Sequence, residues 1–218
     1  MVAHPEGSLF DDRRDAGRQL AGLLQHLQHQ EPMVLALPRG GVPVAFEIAR
    51  LLGAPLEVLV VRKLGAPGQP ELGLGAVAEG GARFVDPALV SASVGLPDEL
   101  AEIEERESAE VVRRALLYRG GRPLPAIEGR TVILVDDGVA TGGTARAALR
   151  ALEQLRPRRV VLAVPVMAAA AARELRRLVD ELVYLRAPEE FWAVGRWYRR
   201  FAQTTDDEVV ALLRASHP

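Results

Sequence analysis

The chain has 218 residues, 49% of them hydrophobic and 26% charged, with a net charge of −2 and no cysteine. That size and apolar content suit one domain with a small appendage, and the charge argues against electrostatically driven nucleic-acid binding. Without cysteine there are no disulfides or thiolate metal sites, which suits a cytoplasmic protein; no apolar stretch reaches membrane-span length, and the amino terminus shows no signal-peptide pattern.

Ala16, Leu20, Leu23 and Leu27 recur at helical spacing and predict an amphipathic helix within 11–30. Met33–Leu37 reads as a buried strand, Pro38–Gly41 as a loop, and Val42–Leu52 as a helix stopped by Gly53. A second strand is expected over Leu56–Val61. The Gly- and Pro-rich segment from Arg62 to Gly75 reads as a mobile loop. Gly75–Glu79 and Ala82–Asp86 flank Gly80-Gly81 and predict a β-hairpin. Residues 87–118 read as a solvated helix, acidic early and basic late. Strands over 131–135, 159–165 and 181–185 alternate with helices over 142–155 and 168–178.

The run Thr131–Thr144, TVILVDDGVATGGT, carries the most chemistry. Its apolar residues fit a strand buried on both faces. Gly142-Gly143 and the helix start beyond them bring backbone N–H groups and a positive dipole end to one point, a site suited to phosphate. Asp136 and Asp137 repel phosphate, so they need another partner, and neighbouring sugar hydroxyls supply one. The run lacks the Lys-Ser/Thr pair of a P-loop. Arg39-Gly40-Gly41 follows the first strand and opens a helix; it can hold a second anion, with a guanidinium fork matched to phosphate oxygens. Arg62-Lys63 ends the second predicted strand, on the same sheet edge, and Lys63 is the chain's only lysine.

VILVDDGVATGGT resembles the phosphoribosyl pyrophosphate (PRPP) motif of type I phosphoribosyltransferases. The resemblance implies that Asp136 and Asp137 hold the ribose hydroxyls, and that Gly138, Val139, Ala140, Thr141, Gly142, Gly143 and Thr144 form the loop for the 5′-phosphate. It implies that Arg39, Gly40 and Gly41 bind pyrophosphate, with Pro38–Arg39 as a candidate cis peptide, and that Arg62 and Lys63 join them. Leu64–Leu72 resembles the family's flexible loop, which closes over the reaction. Mg2+ is expected, bound mainly through PRPP and pyrophosphate. Ala140 stands where some members carry an acidic base, which leaves Glu71 as a candidate. The strand Val160–Met167 lacks the lysine of members acting on 6-oxopurines. Phe191–Tyr198 weakly resembles the hood over the acceptor, with Trp192 near the position of a stacking aromatic.

The expected fold is therefore α/β: a doubly wound, largely parallel five-stranded sheet with a helical insertion and a small C-terminal hood. The core covers 1–186, with hairpin and insertion at about 75–120, and the hood covers 187–218. The expected function is transfer of 5-phosphoribose from PRPP to a nitrogen nucleophile, a nucleobase or related small molecule. The catalytic set is Asp136, Asp137, Arg39, Arg62, Lys63 and Glu71. The alternative is a regulatory protein that binds PRPP or a nucleotide without catalysis. A hydrolase acting on sugar phosphates would need a nucleophile or metal cluster, and none is evident. No role falls to the four histidines. The partners expected are small molecules, without nucleic acid or membrane; the helical insertion suits a cover over the site or the interface of a homo-oligomer.

Overall fold

The computed structural model describes residues 10–66, 69–85 and 97–216, with the side chains of 69–73 and 97–98 outside that description. Five parallel strands, β1 (Met33–Ala36), β2 (Leu56–Val58), β6 (Thr131–Val135), β7 (Arg159–Val166) and β8 (Glu181–Arg186), form one sheet in the order β2-β1-β6-β7-β8. The expected doubly wound sheet is present. Alternate residues of its strands face two separate apolar clusters. Val34, Ala36, Ile133 and Val135 pack with α1 (Arg13–Leu23) and α2 (Gly41–Leu52). Met33, Leu35, Val132 and Leu134 pack with α4 (Gly143–Gln154) and α5 (Ala169–Leu175). Burial on both faces is why these strands read as continuous apolar runs.

The chain winds outward from β1 to β2 on one side, and from β6 through β7 to β8 on the other. Strand order thus reverses between β1 and β6. At such a switch point the loops leaving two neighbouring strands diverge and open a crevice beyond their carboxyl ends. Ala36 pairs with Val135 at that edge, so Arg39-Gly40-Gly41 and Asp136-Asp137 leave adjacent strands side by side.

Two expectations about the intervening segment need correction. Leu56–Val61 is not one strand: β2 ends at Val58, and Val61 begins β3 (Val61–Ala66) of a separate antiparallel sheet, β3-β4-β5, with β4 at Gln69–Ala78 and β5 at Arg83–Val85. The apolar run hides the break because both pieces bury their side chains. Leu64–Leu72 is likewise not a loop throughout, since residues through Ala66 and from Gln69 lie in paired strands; residues 67–68 lie outside the described residues. Farther along β4, Gly75 serves close packing: a Cβ there would stand 2.2 Å from the Phe84 carbonyl oxygen. The hairpin around Gly80-Gly81 is present, and both glycines have positive φ.

The long helix α3 spans Pro97–Arg119, so of the predicted 87–118 helix the part before 97 falls outside the described residues. The amino-terminal helix is shorter than predicted, with a 3-10 segment from Gln25 to Gln30. After β8 the chain makes a 3-10 turn, Val194–Trp197, and ends in α6 (Asp206–Ser216). Val209, Leu212 and Leu213 of α6 enter the same apolar cluster as α2. No described helix is long and apolar enough to cross a membrane.

Candidate active site

Asp136 and Asp137 stand half-buried at the carboxyl end of β6. The backbone N–H of Asp137 donates to Asp136 Oδ1 at 2.9 Å. Burial pushes the Asp136 carboxyl well above its ordinary range, and the neighbouring charge of Asp137 adds to the effect. Burial also raises Asp137, but Arg13 opposes it: its Nε donates to Asp137 Oδ2 at 2.7 Å. Two carboxyls short of water and of donors suit a ligand that brings hydroxyls or positive charge.

The two loops at the switch point touch. A Cβ on Gly40 would stand 2.0 Å from Asp137 Oδ2, and one on Gly41 would stand 2.6 Å from the Val135 carbonyl oxygen. Neither position has room for a side chain. The Pro38–Arg39 peptide is cis. Arg39 Nη1 lies 3.9 Å from Asp206 Oδ1, at the start of α6, and Asp206 also accepts from the Tyr118 hydroxyl at 2.7 Å. Burial and that hydrogen bond push the Tyr118 hydroxyl up to about 12.

Beyond the acids, Gly138 is roofed by Val194, whose Cγ1 would meet a Cβ there at 2.5 Å. Val139 continues the sheet beside Met167. Ala140, Thr141 and Thr144 are exposed, and Gly142, at φ +80°, forms the N-cap of α4. The first N–H groups of a helix lack intrahelical acceptors, so this end presents donors to an anion. Among the described residues, Thr141 Oγ1 and Lys63 Cδ come within 4 Å of the position of a Cβ on Gly143, at 3.8 and 3.9 Å. Lys63 on β3 thus reaches the Gly138–Thr144 loop itself.

Arg62 points elsewhere: its Nε donates to Glu107 of α3 at 2.7 Å. Glu71 lies on β4, with its side chain outside the description. Trp192 is 78% exposed, two residues before the Val194 that covers Gly138. The described residues contain no group of three or more His, Cys, Asp or Glu side chains able to hold a metal ion.

Sequence reasoning missed Arg13 and Tyr198. The Tyr198 hydroxyl donates to the Asp137 carbonyl oxygen at 2.5 Å, and burial pushes that phenol above its ordinary range. Arg13 is one of three arginines on α1, 124 positions from its partner. No local signal distinguishes it.

Three comparisons bear on this geometry. The family model described as "Phosphoribosyl transferase domain" matches residues 10–198. Two Mycobacterium tuberculosis proteins, "Putative phosphoribosyl transferase Rv0571c" of strain H37Rv and its counterpart of strain CDC 1551, are 48% identical over 209 residues. The match covers 96% of this chain and 47% of theirs, so the chain spans about half the length of these relatives. The crystal structure of TT1426 from Thermus thermophilus superposes with a TM-score of 0.85 at 47% identity, covering 94% of this chain and 97% of that one.

Proposed function

The chain belongs to the phosphoribosyl transferase family, and on that premise we propose that it transfers 5-phosphoribose from PRPP to a nitrogen nucleophile, releasing pyrophosphate. The acceptor is a nucleobase or a related small molecule. The observation that carries the reading is the contact between Gly40 and Asp137. It sets a basic loop directly against an acid pair, and the reaction needs opposite charges on the two sides of one bond.

In this reading Asp136 and Asp137 accept the vicinal hydroxyls of the ribose, while the loop from Gly138 to Thr144 and the α4 amino terminus hold its 5′-phosphate. Breaking the anomeric C–O bond leaves its electron pair on pyrophosphate and positive charge on the ribose. The new N–C bond then forms, and the nucleophile gives up a proton. The paired carboxylates favour the cationic sugar. Arg39, the Gly40 N–H and Lys63 favour the departing anion, with Gly41, whose N–H donates to the Leu37 carbonyl, giving the side-chain-free approach beside them, and preorganised charge of this kind is often the largest catalytic contribution. Arg62 joins them only after leaving Glu107. Trp192 offers an exposed ring for an acceptor to stack on. Glu71 remains the base we propose should the acceptor need one.

The acid pair on its own is not a metal cage. It fits an Mg2+ that rides on substrate oxygens and retained waters. Bound in that way, Mg2+ would neutralise charge on pyrophosphate.

Pyrophosphate release from PRPP with Mg2+, measured across nucleobases and small amines, tests the proposal. Release dependent on one acceptor supports it and identifies that acceptor. PRPP binding without release for any acceptor is the behaviour of a regulatory protein. Undiminished PRPP binding after Asp136→Asn with Asp137→Asn overturns the site.

A further inference from the structure

Arg13 reaches the acid pair from outside the motif. It sits in the first turn of α1, and its guanidinium is fixed on three sides. Nε donates to Asp137 Oδ2, Nη1 donates to the Ala202 carbonyl oxygen at 2.7 Å, and the guanidinium carbon lies 3.9 Å from the centre of the Phe201 ring. Arg13 and Asp137 are only 11% and 15% exposed, so the pair is shielded from the screening that makes surface ion pairs weak. The ring of Phe201 is held in turn by stacking on Tyr198, at 5.0 Å between centroids. That tyrosine is the one whose hydroxyl bonds the Asp137 carbonyl.

We infer that Arg13 is a positioning residue for Asp137, holding its carboxylate by one oxygen so that the other remains to accept a ribose hydroxyl. Arg13 Nε takes Oδ2 of that carboxylate, so Oδ1 is the oxygen that this bond leaves for a ligand. The inference rests on the reading of Asp137 as a ribose-binding group and deepens it: the donor site is completed by the amino-terminal helix and the carboxyl-terminal segment. Among the described residues, Asp136 lies beside the carboxylate, Arg13 from α1 bonds it and the backbone of Gly40 from the β1 loop packs on it, while the Tyr198 hydroxyl from the carboxyl-terminal segment holds the main-chain carbonyl of the same residue. Arg13 is the cation that bonds the carboxylate; Arg39 of the same β1 loop is directed to Asp206. A protonated carboxyl gives up acceptor capacity, so the guanidinium that orients Asp137 also opposes the burial that favours its protonation.

PRPP binding with Mg2+, followed by calorimetry from acid to neutral pH, tests this in the wild-type chain, Arg13→Gln, Arg13→Lys and Asp137→Asn. Arg13→Gln is expected to weaken binding at neutral pH by roughly 10- to 100-fold, the range for a lost hydrogen bond to a charged group. It should also move the acid limb of binding to higher pH, a shift that mere loosening of the fold would not produce. Arg13→Lys, which keeps the charge and loses the fork, should recover part of both. Unchanged affinity and an unchanged acid limb in Arg13→Gln, with binding lost in Asp137→Asn, overturn the inference and leave the site standing. Wild-type binding by Asp137→Asn overturns both. If Arg13→Gln does not fold, Phe201→Leu removes the stacking ring and carries the same test. Weaker binding with a raised acid limb supports the inference, and wild-type behaviour defeats it.

Discussion

At Asp136 the folded protein raises a carboxyl whose ordinary value is 3.8. The unfolded chain bears no such penalty. The folded state therefore holds that proton more tightly, and the associated stability is fully present below the unfolded value and lost as pH rises through the raised one. At neutral pH the ionised group costs stability. Asp136→Asn should then stabilise the free protein by about 1 kcal/mol, a Tm rise of roughly 2–4 °C. It should flatten the fall in stability between acid and neutral pH, while PRPP binding drops at least about tenfold. Thermal melts across pH, with and without PRPP, check both halves. Gly40 makes a second residue-scale case. Its φ of −60° suits any residue, so the cost of Gly40→Ala lies in the Asp137 carboxylate that a Cβ would strike. Gly40→Ala is expected to weaken PRPP binding without unfolding the chain. In stability, Gly40→Ala and Asp137→Ala should couple by about 1 kcal/mol or more in a double-mutant cycle, because the second change removes the obstacle to the first.

Among the elements, the β3–β4 hairpin and α3 are fastened to the main sheet by a buried ion pair. Glu79 and Arg119 are each 3% exposed and bonded to one another. Glu79 Oε1 accepts from the Val60 N–H at 2.9 Å, and Arg119 Nη1 donates to the Val58 carbonyl at 3.2 Å. The end of β2, the end of β4 and the last turn of α3 thus meet at one point. Arg119→Met leaves a buried carboxylate uncompensated and should cost about 3–5 kcal/mol in urea unfolding. Adding Glu79→Gln, which removes the charge and keeps an acceptor for Val60, should recover most of that loss. The hairpin also shows where local reading stops. Gly65, Gly73 and Gly75 read as loop by composition, yet they lie in paired strands where β4 packs tightly against its neighbours. Whether a glycine frees the backbone or permits close approach is decided by what lies opposite it.

Over the whole of the described structure, the segment before α1 is tied to the segment that follows β8. Phe10 N–H donates to the Trp197 carbonyl at 2.9 Å, and Arg199 N–H returns a bond to the Phe10 carbonyl at 2.8 Å. We propose the segment from 187 onward as a hood in the functional sense, over the acceptor. Its α6 nevertheless buries Val209, Leu212 and Leu213 in the cluster of Ile48 and Val58. Deleting 206–218 should therefore destabilise the entire protein. Each of those side chains contributes about 1.5–3 kcal/mol on burial, against a typical total of about 5–15 kcal/mol. The expected result in denaturant is a large fall in the midpoint, with hood and sheet unfolding in one transition; a separate early transition would show the hood to be independent. The strands β1, β6, β7 and β8, the adjacent acids at the end of β6 and the glycine-bearing turn that opens α4 were all legible in the chain, because burial on both faces and a helix start leave patterns within a few residues. By itself, then, the sequence determined the class of fold and which residues could carry phosphate and diol chemistry. Only the tertiary structure decided that Gly40 presses on Asp137, that Lys63 rather than Arg62 reaches the Gly138–Thr144 loop, and that Arg13 holds the second acid. Those contacts depend on strand order and on helices packing across sequence separations of up to 124 residues, and no local pattern records a distance that long.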